Sequence, residues 1–324
     1  MPTLALVATG GTIAGAAASA TDTTGYTAGA LGADALLAAV PPLADVAQIR
    51  AEQLFSLDSK DMQPAHWLAL GRRVRALLDD PAIDGIVITH GTDTLEETAA
   101  FLDLTLAAAK PVVLTAAMRP ATALSADGPM NLYNAACVAA HPDSRGRGVL
   151  VSFGDAILPA RGVRKRETHR LDAFGSASAG AIGQTDPLRY FAPPPAGARL
   201  CLQLPPDLAD LPRVDVLYVG AGTPPALVDV MIADGARGLV LALPGNGSLP
   251  EAWEAPLAAA GARGIPVIRA SRAGTGPVGH KALDDRLGTR AAGELPASQA
   301  RVALMLALAA GDPARLDLVL GDAG

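Results

Sequence analysis

A chain of 324 residues is too long for one ordinary hydrophobic core and predicts two domains. Half of its residues are hydrophobic and only 3% aromatic, so the core must be built from Ala, Val and Leu. The formal net charge of −6 argues against nucleic acid, which wants a basic surface. No run of roughly 18 apolar residues is present to span a membrane; the longest stretch, Val302–Ala310, fits an amphipathic helix. Cys137 and Cys201, far apart in sequence, resemble neither a disulfide framework nor a zinc set. The first strand begins almost at once, with no charged n-region or apolar h-region before it. These features together read as a reduced, cytoplasmic protein.

The first stretch with chemical content is Leu4–Gly15, L-A-L-V-A-T-G-G-T-I-A-G. An apolar run ending in Thr9, Gly10, Gly11 and Thr12 predicts a buried strand entering a tight turn. Glycine there allows φ > 0 and close approach of the backbone to a ligand, which makes Gly11 a candidate contact. Thr12 then stands at the carboxyl end of a strand, where open α/β sheets bind ligands. The turn alone fits a phosphate cradle, a substrate-facing threonine or plain structure. The absence of G-x-G-x-x-G spacing and of a following G-K-[ST] weighs against phosphate.

Ala14–Ala30 is rich in small residues and reads as a mobile lid, with Tyr26 its one large side chain. An isolated tyrosine in a loop is most often a surface anchor. Ala33–Ala39 predicts a helix stopped by Pro41-Pro42. Val46–Phe55 predicts a strand that runs into the polar cluster Leu57-Asp58-Ser59-Lys60-Asp61-Met62. A helix over Pro64–Leu78 follows, with proline at a tolerated first-turn position. Ile83–Thr89 is another strand, ending in His90-Gly91-Thr92-Asp93 just before a helix. Thr94 and Glu97 have capping-box spacing. Lys110–Thr115 and Val149–Phe153 are further buried strands, separated by a polar loop and helix over Ala116–Asn134. Arg161, Arg164, Lys165, Arg166 and Arg170 form a basic run, which composition alone assigns to a solvated face.

Dense prolines at 193–195 and 205–206 disfavour helix and central strand and mark a linker over 193–212. Strand–helix alternation then resumes. Strands are expected at Val214–Val219, Gly238–Leu243 and Ile265–Arg269, and helices at Pro225–Ile232, Pro250–Ala260 and Pro296–Ala309. The expected architecture is α/β in two domains: a larger one over 1–192 with a mainly parallel sheet, and a smaller parallel-sheet one over 213–324.

Two hydroxyl-bearing turns, at Thr12 and at Thr92-Asp93, follow different strands of one domain. Parallel strands point the same way, so their carboxyl-end turns can share a crevice. Threonines, an aspartate, a serine and a lysine there suggest acyl transfer, which needs a nucleophile, its base and oxyanion donors. Tyr26 and Lys165 are the candidate activating partners. The five scattered histidines yield no conventional triad.

At these residues the sequence resembles the bacterial-type L-asparaginase (asparaginase/glutaminase) family. The resemblance lies in T-G-G-T-I-A-G at 9–15, H-G-T-D-T-L-E-E-T-A at 90–99 and M-R-P-A-T-A-L-S-A-D-G-P-M-N-L-Y-N-A at 118–135. It continues through V-D-V-L-Y at 214–218, P-G-N-G-S-L-P at 244–250 and R-A-S-R at 269–272. The resemblance implies an amidohydrolase that converts L-asparagine to L-aspartate and ammonia through a threonine acyl-enzyme. Thr12 would be the nucleophile and Tyr26 the hydroxyl that helps deprotonate it. Thr92, Asp93 and Lys165 would form a second hydroxyl–acid–base cluster. Ser59 and Asp93 would hold the α-carboxylate and α-amino groups. No metal or organic cofactor belongs to that chemistry, and such members are commonly tetramers built from dimers.

Four departures stand out. Lys60 replaces a common glutamine, and either grips the substrate carboxylate or extends into solvent. Ala282 stands where many periplasmic members carry a glutamate. R-K-R-E surrounds Lys165 in place of Lys-Thr-Asn, and Ser248 replaces the second asparagine of a frequent G-N-G-N. The alternatives to an asparaginase are a glutaminase-asparaginase of broader specificity, an ammonia-supplying amidotransferase subunit, and a two-lobed solute-binding protein.

Overall fold

The computed structural model describes residues 1–176, 179–195 and 200–321. Residues 177–178, 196–199 and 322–324, parts of the expected domains and linker, lie outside the described residues. The chain divides into two units, Met1–Arg199 and Leu200–Gly324.

The first unit contains β1 (Thr3–Gly10), the small hairpin β2 (Ala16–Ala17) and β3 (Tyr26–Thr27), α1 (Ala33–Ala38), α2 (Leu43–Val46) and β4 (Gln48–Leu57). It continues with α3 (Pro64–Asp79), β5 (Gly85–Thr89), α4 (Leu95–Thr105), β6 (Val112–Thr115), α5 (Gly128–Ala140) and β7 (Val149–Phe153). Five short strands follow: β8 (Ala156–Pro159), β9 (Val163–Lys165), β10 (Phe174–Ser176), β11 (Gly183–Thr185) and β12 (Leu188–Tyr190). Its main sheet has eight strands in the order β12-β11-β8-β7-β6-β5-β1-β4. From β4 to β7 every neighbouring pair is parallel, while β7/β8, β8/β11 and β11/β12 are antiparallel.

Sheet position explains the sequence patterns. Strands β1, β5, β6 and β7 lie inside the parallel part and are buried almost end to end, so they read as apolar runs. Strand β4 is the edge and carries a mixed, partly exposed pattern. The antiparallel edge was not expected. Gly154, at φ 56°, and Asp155 turn β7 straight back into β8, and a two-residue turn can only join antiparallel strands.

Register brings the strand ends together. Gly10 of β1 pairs with Leu57 of β4, and Ala8 of β1 with Thr89 of β5. The turns bearing Thr12, Ser59 and Thr92 therefore leave three adjacent strands at their carboxyl ends, on the same side of the sheet. The expected lid segment holds the β2/β3 hairpin. The basic run resolves into β9 and its flanking connections, with Lys165 closing β9 against β10.

The second unit contains β13 (Val214–Tyr218), α6 (Leu227–Ala233), β14 (Gly238–Leu243), α7 (Glu254–Ala262), β15 (Val267–Ser271), α8 (Ala282–Leu287), β16 (Thr289–Ala291), α9 (Ala297–Ala310) and α10 (Pro313–Leu320). Its four strands are parallel in the order β13-β14-β15-β16. Leu239, Leu241, Leu243, Trp253 and Leu257 centre its core. A buried ion pair joins Arg269 Nε to Asp284 Oδ1 at 2.6 Å. The same guanidinium donates to the Gly247 carbonyl at 2.7 Å and the Gly279 carbonyl at 3.1 Å. This satisfied network ties the P-G-N-G-S loop to β15, where an unpaired buried charge would be strongly destabilising.

Candidate active site

The glycine pair after β1 works by close approach. Gly10 and Gly11 have φ of 103° and 81°, a region that disfavours L side chains. A Cβ on Gly10 would lie 2.4 Å from the Leu57 carbonyl oxygen, and one on Gly11 would lie 2.4 Å from Gly91 Cα. A Cβ on Gly91 would lie 2.5 Å from Ser59 Oγ. Backbone thus packs on backbone where β1, β4 and β5 end. Gly11 N–H donates to Leu57 O at 2.8 Å and its carbonyl accepts from Gly29 at 3.1 Å, so both of its backbone groups are engaged within the fold.

Thr12 is buried, and its Oγ1 lies 2.6 Å from the Tyr26 hydroxyl. The tyrosine arrives on β3, folded back over the turn. Gly15 admits it, since a Cβ there would stand 2.8 Å from Tyr26 Cδ2. The third glycine of T-G-G-T-I-A-G is therefore a seat for the tyrosine ring.

The second turn is held differently. Lys165 Nζ donates to Thr92 Oγ1 at 2.8 Å and to Asp93 Oδ1 at 2.6 Å. Thr92 is buried, the lysine side chain is 20% exposed, and the Asp93 carboxylate is 55% exposed. Glu96, in the first turn of α4, accepts the Lys165 backbone N–H on Oε2 at 2.6 Å. Ser59 Oγ accepts the Asp93 N–H at 3.2 Å and keeps its own proton to donate. Thr94 does not cap α4 with its side chain: its hydroxyl donates instead to the Ser59 carbonyl at 2.8 Å, which ties the β4 turn to the β5 turn. Among the described residues, neither the Thr12 nor the Thr92 amide N–H meets an acceptor, so both can serve a developing oxyanion.

His90 is fully buried beneath this turn. Its Nδ1 lies 2.8 Å from the Gly91 carbonyl, which can only accept, so Nδ1 carries the proton. Its Nε2 lies 3.0 Å from Thr98 Oγ1, which itself accepts from Trp67 Nε1–H at 2.9 Å. Burial holds the imidazole neutral and pushes its pKa down to about 4.

Lys60 follows Ser59 in the β4 turn, near enough for Asp93 to act on its charge, but points largely into solvent. Its ammonium pairs with Asp58, its side chain is 65% exposed, and that hydrogen bond raises its pKa above the usual lysine value. The placement supports the solvent-facing reading. Ala282 opens α8 in the second unit.

Glu96, His90, Thr98 and Gly15 were not singled out for these contacts by sequence reasoning. A carboxylate in a helix's first turn reads as a partner for the helix dipole, and a histidine after a strand reads as core. The arrangement joins two buried threonine hydroxyls, one hydrogen-bonded to a tyrosine hydroxyl and one to a lysine ammonium, with amide donors beside them. That equipment suits attack on an amide carbonyl.

Comparisons with known proteins agree with this equipment. Residues 3–195 match the family model described as asparaginase, N-terminal, and residues 213–316 match the glutaminase/asparaginase C-terminal domain. L-asparaginase 2 of Bacillus subtilis is 41% identical over 315 residues, covering 95% of this chain and 83% of the relative. A glutaminase-asparaginase of Pseudomonas fluorescens is 38% identical over 310 residues, covering 94% of this chain and 85% of the relative. The crystal structure of a probable cytoplasmic L-asparaginase from Campylobacter jejuni superposes with a TM-score of 0.92 at 38% identity, over 99% of both chains.

Proposed function

Because the chain belongs to the asparaginase family, we propose that it hydrolyses the side-chain amide of L-asparagine to L-aspartate and ammonia. The observation that carries the reading is the pairing of Thr12 with Tyr26 at 2.6 Å beside the Lys165–Thr92–Asp93 cluster. Thr12 Oγ1 attacks the amide carbon as its proton passes to the Tyr26 hydroxyl, which hands its own proton on towards the amide nitrogen. The negative oxygen that forms is met by the Thr12 and Thr92 amide N–H groups. The C–N bond then breaks, the nitrogen leaves with an added proton as ammonia, and an ester remains on Thr12. Water attacks that ester beside the Thr92 hydroxyl, which the Lys165 ammonium holds in place; as the acyl C–O bond breaks, the proton that water gives up returns to Thr12 Oγ1 through Tyr26, which releases L-aspartate and the Thr12 hydroxyl. Ser59 donates to the α-carboxylate and Asp93 receives the α-ammonium.

The relative from Pseudomonas fluorescens favours a second reading, in which L-glutamine is also a substrate. The reacting group is the same amide, so only pocket length separates the two. The proposal includes a two-domain enzyme, catalytic over 1–192 and C-terminal over 213–324, which the separate extents of the family models support. It includes a homo-oligomer, dimer or tetramer, acting in the cytoplasm. The neighbour from Campylobacter jejuni, named as cytoplasmic, supports that location. Among the described residues no helix is long and apolar enough to cross a membrane. Ammonia release by purified protein, as kcat/KM for L-asparagine, L-glutamine and D-asparagine, tests the reading. L-asparagine should rank first, and absence of ammonia from all three overturns it.

A further inference from the structure

The contacts of Lys165 begin at both of its ends. Its ammonium lies on Thr92 and Asp93, and its backbone N–H lies on Glu96 Oε2 at 2.6 Å. All three partners belong to the five residues 92–96, the turn after β5 and the first turn of α4. Lysine is a point charge on a flexible stem with several rotatable bonds, so holding only its tip leaves the main chain free to drift. Strand β9, which carries it, is three residues long and pairs with the equally short β10. A backbone N–H held by an ionised carboxylate makes a charge-assisted bond, stronger than one to a neutral acceptor.

We propose that Glu96 is a positioning residue for the reaction: it clamps the Lys165 backbone to the turn that bears Thr92, and so sets the reach of the ammonium to the Thr92 hydroxyl. This rests on the reading of Lys165 and Thr92 as a reacting pair. The competing role is structural, a first-turn carboxylate favoured by the helix dipole. The two roles part at glutamine, which keeps an acceptor oxygen for the N–H and loses the charge.

Three variants decide it: Glu96→Ala, Glu96→Gln and Glu96→Asp. Glu96→Ala should lower kcat by about 10- to 100-fold with KM within about threefold, because a displaced Lys165 ammonium misplaces the Thr92 hydroxyl mainly in the transition state. Glu96→Gln should keep kcat within about threefold of wild type, since the hydrogen bond survives. Glu96→Asp keeps the charge and withdraws the oxygen by one methylene, so it should fold like wild type and still lose kcat. Hydrogen exchange across residues 163–168 gives a second readout: faster exchange at the Lys165 amide in Glu96→Ala and Glu96→Asp, and wild-type exchange in Glu96→Gln. Wild-type kcat in both Glu96→Ala and Glu96→Asp overturns the proposal, as does unchanged Lys165 exchange in them. Equal kcat loss in Glu96→Gln and Glu96→Ala assigns the effect to charge and also overturns it. If the wild-type protein releases no ammonia, the functional reading fails alone, and the exchange data still decide the clamp.

Discussion

The Thr12 turn and the Thr92 turn carry the same hydroxyl at the ends of adjacent strands, yet their partners are secured in opposite ways. Tyr26 comes from 14 residues downstream of Thr12, on a hairpin of two-residue strands. No residue from Ala16 to Ala30 is buried. That hairpin is tied to the loop between β6 and α5 by few bonds, among them Ala17 N–H to Thr122 Oγ1 at 2.9 Å and Leu124 N–H to the Ala20 carbonyl at 2.9 Å. Lys165 comes from 73 residues beyond Thr92, with its side chain largely buried and its backbone on Glu96. A segment with little buried surface opens at low cost, whereas one wedged between packed elements does not. We propose that the first turn serves as a gate and the second as a fixed fixture. A hydrolase that must admit substrate and then exclude bulk water has use for both.

The largest expected effect tests whether the gated turn bears the nucleophile. Thr12→Ala should lower kcat by about 10³-fold or more while binding of L-aspartate, read by calorimetry, stays within about tenfold. Turnover like wild type would break the comparison at its first step.

Next comes the rigidity of the Thr92 turn, which has a pH signature through His90. Its folded pKa is about 4, below the ordinary value of 6.5, so between these pH values the unfolded chain binds a proton that the folded chain refuses. The stability contributed is complete above pH 6.5 and is lost as pH falls towards 4. The full loss is roughly 3 kcal/mol. Urea unfolding at pH 7.5 and 4.5 should show a drop in wild type that exceeds the drop in His90→Asn. Equal drops would mean that the buried imidazole is not held neutral.

The lid supplies a smaller effect. Saturating L-aspartate should slow hydrogen exchange about tenfold or more over residues 16–30 and leave residues 163–165 nearly unchanged. Equal protection of both segments would erase the distinction between gate and fixture. The smallest effect is at Lys60. Its ammonium is engaged by Asp58 and largely solvated, so Lys60→Gln should leave kcat and KM within about twofold even at low salt. A rise in KM that shrinks with added salt would place the ammonium on the substrate carboxylate instead.

What was legible in the sequence was local. Alternating strands and helices predicted parallel sheets, and T-G-G-T and H-G-T-D marked two strand-end turns because glycine and hydroxyl residues advertise themselves within a few positions. Tyr26 and Lys165 are candidate activating partners from the need of a threonine for one, but their separate roles come only through resemblance to a family, since a lone tyrosine in a loop reads as a surface anchor and a lysine in a basic run as a solvated face. The antiparallel edge from β8 to β12 escaped notice because strands of three or four residues are too short to show a period. Thr94 was expected to cap its own helix by spacing, but a neighbour 35 residues away took its hydroxyl. Gly15 as the seat of Tyr26, the chain from buried His90 through Thr98 to Trp67, and the hold of Glu96 on Lys165 are likewise decisions of the tertiary structure. Each depends on which strands pair and in what register, and a sequence records the residues that meet without recording the pairing that brings them together.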